Sequence, residues 1–114
     1  MEVILKNLEN FKYGDSKTFS YQEGDVTREG FLIKVQEGYR AYVNNCPHWN
    51  TPLEMGEGNF FNERINRISC QVHGAAFNLE TGDCEGGPCM GDSLQTLLLE
   101  VSSDSHCVTI TTPD

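Results

Sequence analysis

Apolar and polar side chains alternate at every second position in several short stretches of this 114-residue chain. No window keeps apolar residues at helical spacing for two turns or more. Residues 19–22, 31–36, 39–43, 67–70, 96–101 and 108–112 carry the alternation, and the pattern predicts a strand over each. In Val108-Thr109-Ile110-Thr111, for example, one face is apolar and the other can meet water, as in a half-buried strand. Gly14-Asp15, Gly24-Asp25, Glu37-Gly38 and Thr81-Gly82-Asp83 fall between such stretches and read as turns. The stretch NFFNERIN, residues 59–66, is the one place where a single helical turn is expected. With no internal repeat and no low-complexity linker, the expectation is one all-β domain over residues 1–114.

Composition sharpens this picture in the middle of the chain. Gly, Pro, Cys and His concentrate from about residue 46 to residue 91, while both ends carry plainer strand patterns, so a loop-rich centre on a β scaffold is expected. Seventeen acidic residues face eight basic ones, a formal charge of −9. With no Lys/Arg cluster to neutralise phosphates, a nucleic-acid or anionic-membrane partner is not expected, whereas docking on a basic protein surface would be favoured. The longest aliphatic run is Leu97-Leu98-Leu99, far short of a membrane span, and the start MEVILKNLENFKYGD has no long apolar region of the kind a secretory signal carries. Five cysteines, an odd number without an obvious disulfide framework, suggest a cytoplasmic protein that uses some thiols for metal.

Two Cys–His pairs stand in this centre: Cys46-x-His48 in CPHWNTPL and Cys70-x-x-His73 in CQVHGAAF, with 21 residues between them. Buried, inert core residues are one reading, but two of three histidines beside two of five cysteines make coincidence a poor account. A tetrahedral Cys2His2 zinc site is another, although zinc fingers of that composition usually take both thiolates from one knuckle and both imidazoles from one helix. A catalytic Cys–His dyad explains one pair and leaves the other idle. A Rieske [2Fe–2S] centre uses both pairs, because two thiolates hold one iron and two imidazoles hold the other. Pro47 would stiffen the first loop, and Gly74 would let the backbone approach inorganic sulfide.

With C-x-H, a spacer, C-x-x-H, the continuation HGAAF and the downstream TGDCEGGPCMGDSL, the chain resembles the Rieske family. The resemblance implies an all-β Rieske fold: an antiparallel β-sandwich base with a small loop-rich cluster-binding subdomain at about residues 44–91. It implies one [2Fe–2S] cluster, with Cys46 and Cys70 on the buried iron and His48 and His73 on the outer iron. The spacer looks long for a small Rieske ferredoxin, and the extra residues are placed in NFFNERIN. Rieske proteins of respiratory and photosynthetic complexes carry an added disulfide and hydroxyl donors to the cluster. Aligned on the ligands, this chain has Thr51 and Val72 at the disulfide positions, and Ala75 and Phe77 where the serine and tyrosine would stand. Without those donors the reduction potential is expected near the low end of the Rieske range, about −150 mV.

The resemblance further implies an electron carrier rather than an enzyme. It would take one electron from a flavoprotein reductase and pass it to a terminal oxygenase or similar acceptor. The alternative is a small Rieske subunit or regulatory module of a larger reductase, as in nitrite reductases. Gly86-Gly87-Pro88 resembles the proline-containing loop that covers the cluster in this family. Cys84 and Cys89, which bracket it, are expected as free thiols in a reducing cytosol. Cys107 is read as a small buried apolar residue and His106 as a surface histidine.

Overall fold

The computed structural model describes residues 2–36, 38–45, 61–62, 64–69, 76–86, 93–104 and 106–112. Among the described residues, ten strands account for the regular structure: β1 (Glu2–Leu5), β2 (Ser16–Glu23), β3 (Val26–Val35), β4 (Gly38–Val43), β5 (Phe61–Asn62), β6 (Arg67–Ser69), β7 (Ala76–Phe77), β8 (Cys84–Gly86), β9 (Thr96–Val101) and β10 (Val108–Thr111). They form a six-stranded sheet in the order β1-β10-β9-β4-β3-β2 and a four-stranded sheet in the order β5-β6-β7-β8. Every pairing is antiparallel. The all-β expectation holds, with no helix among the described residues.

Alternation explains how the two sheets share the chain's apolar residues. On β3, Phe31, Ile33 and Val35 turn to one side and join Tyr42 of β4 against Ile68, Phe77, Leu79, Cys84 and Leu94. Leu32, between them, turns to the other side and packs with Phe19, Tyr21, Ala41, Val43, Leu97, Val108 and Ile110. The inner half of β3 is therefore buried on both faces, which is why Phe31-Leu32-Ile33 reads as an unbroken apolar run. Burying each such side chain contributes roughly 1.5–3 kcal/mol. One apolar layer joins the large sheet to the small one, and a second lies on the other side of the large sheet.

All six expected strands are strands: residues 96–101 match β9 to the residue, the expected end of 67–70 lies outside the described residues, and the other four differ at one or both ends. β3 begins five residues before the alternation suggested, because its first half pairs with β2 around the two-residue loop Gly24-Asp25 and extends beyond the core. The expected helical turn in residues 59–66 is not found in the described part. Phe61–Asn62 is instead strand β5, paired with β6, and residues 64–66 form the turn between them. Two or three residues are too few to show a period, so β5, β7 and β8 left no alternation to read. β1 was hidden for another reason: its Val-Ile-Leu is a continuous apolar run.

Candidate metal centre

Cys46, His48, Cys70 and His73 lie outside the described residues, as do Trp49, Gly87, Pro88 and Cys89. The strand ends that carry them are described. Ser69, the last residue of β6, pairs with Ala76, the first of β7, so the Cys70–His73 motif is closed between two directly opposed residues. Ala76 also pairs with Gly86, the last residue of β8. On the other flank, Phe61, the first residue of β5, pairs with Ile68. In an antiparallel sheet these starts and ends fall at one edge. The chain thus leaves for residues 46–60, 70–75 and 87–92, or returns from them, at the same end of the small sheet.

Several contacts fix that frame to the base. The Tyr42 hydroxyl on β4 donates to the Leu79 carbonyl at 2.7 Å inside the core. Burial pushes its pKa up to about 12, with Arg40 opposing and Asp83 and Glu80 adding to the rise. Arg40 Nε donates to the Glu80 carbonyl at 3.2 Å. Beyond β4, the buried Asn44 is bound twice to Glu29, its backbone N–H to the Glu29 carbonyl at 2.8 Å and its side-chain amide to the carboxylate at 3.1 Å. That clamp sits two residues before Cys46. At the β5 end, Tyr13 meets the Phe61 ring edge-on at 5.6 Å, and its hydroxyl donates to Asn66 at 2.8 Å. Gly14 faces the same ring with φ +89°, and a Cβ there would lie 2.5 Å from it, so only glycine fits.

On the small sheet, Arg67 reaches across β7 to Glu85, Nε to Oε1 at 2.6 Å, and the Asn78 amide donates to the same oxygen at 3.5 Å. The ion pair links β6 to β8, the strands on either side of β7. Neither it nor the Asn44 clamp was read from the sequence, because no local pattern marks residues that meet only through tertiary pairing. Cys84 corrects an expectation. It is buried in the shared core opposite Phe77 and is disulfide-bonded rather than free. Its Sγ lies 3.3 Å from the Gly86 carbonyl oxygen. Cys107 is a free thiol, half-buried rather than fully buried, and His106 is exposed as expected. Among the described residues no three His, Cys, Asp or Glu side chains gather to hold a metal ion.

A family model described as the Rieske [2Fe-2S] domain matches residues 2–103. The chain belongs to the Rieske [2Fe-2S] domain family. A Rieske domain implies one [2Fe–2S] cluster. The fold is similar to that of the ferredoxin of carbazole 1,9a-dioxygenase from Nocardioides aromaticivorans IC177, with a TM-score of 0.69 at 21% identity over 99% of this chain and 98% of that one. It is also similar to a putative NADH-dependent nitrite reductase small subunit from Mycobacterium tuberculosis, with a TM-score of 0.66 at 14% identity over 100% and 96% of the two chains. In sequence the chain is 31% identical over 100 residues to apoptosis-inducing factor 3 of Mus musculus and of Homo sapiens. That match covers 88% of this chain but only 14% of the length of those relatives.

Two thiols and two imidazoles are the donor set of a Rieske cluster, and the described strand ends that flank Cys70 and His73, those of β6 and β7, lie at the end of the small sheet where β8 also ends. Phe77 is fully buried between the sheets, paired with Ile68 and Cys84.

Proposed function

We propose that this chain is a one-electron carrier working between a flavoprotein reductase and a terminal oxygenase or similar acceptor. The observation that carries the reading is the Rieske family match over residues 2–103 in a chain that retains both Cys-x-His and Cys-x-x-His. In this reading Cys46 and Cys70 supply thiolates to one iron, and His48 and His73 supply neutral imidazoles to the other. When bound, the cluster supplies reversible one-electron exchange. The imidazoles keep a second ring nitrogen for a contact, and through that edge a partner would approach. The Tyr42, Asn44 and Arg67 contacts hold the strands from which the ligand segments leave, so that the donors need little rearrangement between oxidation states.

An oxygenase acceptor is supported by the likeness to a ferredoxin of carbazole dioxygenase over nearly the whole of both chains. A second reading, a small subunit of a larger reductase, is supported by the likeness to the putative nitrite reductase small subunit. Protein made with ample iron should contain two irons and two labile sulfides per chain, and His48→Ala or His73→Ala should abolish or strongly alter the mixed-ligand spectrum. One zinc and no sulfide would overturn the ligand assignment. Reduction by a flavoprotein reductase, followed by reoxidation on adding an oxygenase, separates the carrier from the subunit. A subunit exchanges electrons only within its own reductase.

A further inference from the structure

We propose that this chain forms a symmetric dimer in which β2 of one copy pairs antiparallel with β2 of a second copy, about an axis at Ser20. Among the described residues β2 is the outermost strand on one side of the large sheet, and β1 is outermost on the other. β1 has four residues and β2 has eight. β2 pairs with β3 from Ser16 to Glu23 without a register shift, and it contains no proline. A long, regular edge strand is a template for a further strand, and β2 lacks the bulge, proline or short length that usually blunts one.

The phase of the hydrogen bonds decides which residues face outward. Glu23 pairs with Val26 around Gly24-Asp25, and Gly24 has φ +61°, as at the first central position of a type II′ hairpin turn. The residues that close such a turn exchange N–H···O=C bonds, and bonding alternates along an antiparallel pair. Glu23, Tyr21, Phe19 and Lys17 therefore bond to β3. Just before β2 the phase is the same, because the Lys34 N–H donates to the Asp15 carbonyl at 2.9 Å. The N–H and carbonyl groups of Thr18, Ser20 and Gln22 point away from β3, and all three residues are exposed.

The charges on β2 fit a second copy of the same strand. With Ser20 on the axis, Thr18 stands opposite Gln22 and Ser20 opposite its own copy, so the outward groups bond to one another. Lys17, which is exposed, then falls opposite Glu23 at both ends of the ladder by symmetry. These are the non-hydrogen-bonded positions, where side chains come closest and an opposite-charge pair is favourable. Glu23 binds Arg28 of its own chain through Oε2 at 2.6 Å, which leaves the other carboxylate oxygen for Lys17. Neighbouring registers fit less well. An axis at Phe19 sets Lys17 opposite Tyr21, and one at Tyr21 sets it opposite Asp25, past the end of the strand. Contact along one strand edge is smaller than the roughly 1,200 Å² of a stable standard interface, so the dimer dissociates on dilution.

Sedimentation velocity of the full chain from about 10 µM to about 1 mM should show monomer converting to dimer. Ser20→Pro removes an outward N–H and spares the bonds to β3, as proline on an edge does, so it should melt cooperatively yet sediment as a monomer throughout. Lys17→Glu sets like charges opposite one another and should raise the dissociation constant severalfold, less so in high salt. Ser20→Cys reads the axis without disturbing the strand. The Cα atoms of a hydrogen-bonded pair lie about 5.5 Å apart, within disulfide reach, so mild oxidation should join two chains through residue 20, identified by peptide mass. Thr18→Cys, displaced along the strand from its own copy, should not cross-link at residue 18. A wild type that stays monomeric across the range overturns the dimer. A dimer that survives in Ser20→Pro, or Ser20→Cys chains that do not cross-link, overturn the β2 axis.

Discussion

The Tyr42 hydroxyl is buried, and its bond to the Leu79 carbonyl is one of the ties between base and small sheet. Tyr42→Phe leaves that carbonyl without this donor and should cost about 1–2 kcal/mol, measured by urea unfolding. Its titration gives a second check. An unfolded tyrosine releases its proton near its ordinary value of 10.0, whereas burial holds this one in the folded chain up to about 12. The contribution is full below pH 10 and is lost as pH rises from 10 to 12, because the unfolded chain sheds the proton first. Melting temperature should fall with pH across that window, and less steeply in Tyr42→Phe. Tyr21 is the opposite case. Its buried hydroxyl has no hydrogen-bond partner among the described residues. Tyr21→Phe should therefore raise stability by about 1 kcal/mol in the same measurement.

Among the elements, the β7–β8 hairpin is the most tightly determined. Asn78 accepts from the backbone N–H groups of Glu80 and Thr81, and Gly82 passes under the Tyr42 ring with φ +79°. A Cβ at Gly82 would stand 2.8 Å from Tyr42 Cε1. Gly82→Ala combines a strained backbone with a clash, so it should lose more than about 1 kcal/mol and reduce iron retained per chain on purification. The Arg67–Glu85 pair spans the same hairpin, but both side chains are about a third exposed or more. A double-mutant cycle with Arg67→Gln and Glu85→Gln should give a coupling of less than about 1 kcal/mol, smaller still in high salt.

Charge is unevenly shared over the whole molecule. Residues 1–45 hold seven acidic and six basic side chains, while residues 46–114 hold ten acidic and only two basic ones. The part that contains the proposed ligands is thus the negative part, and a basic partner would be drawn to it. Electron transfer to such a partner should slow as ionic strength rises, measured by stopped flow, and Glu57→Gln or Glu85→Gln should weaken the dependence mildly. No described helix is long and apolar enough to cross a membrane. The sequence by itself determined the all-β class, because period-2 alternation is local to each strand, and it determined the candidate ligands, because Cys-x-His and Cys-x-x-His are spacings along the chain. It missed β5, β7 and β8, which exist only because neighbouring strands supply their hydrogen bonds. Only the tertiary structure decided that three segments leave from or return to one end of the small sheet and that Arg67 meets Glu85 across β7. It decided likewise that Cys84 is bonded rather than free. Ion pairs and disulfides depend on the distance between folded side chains, and residue spacing in an unfolded string does not contain it.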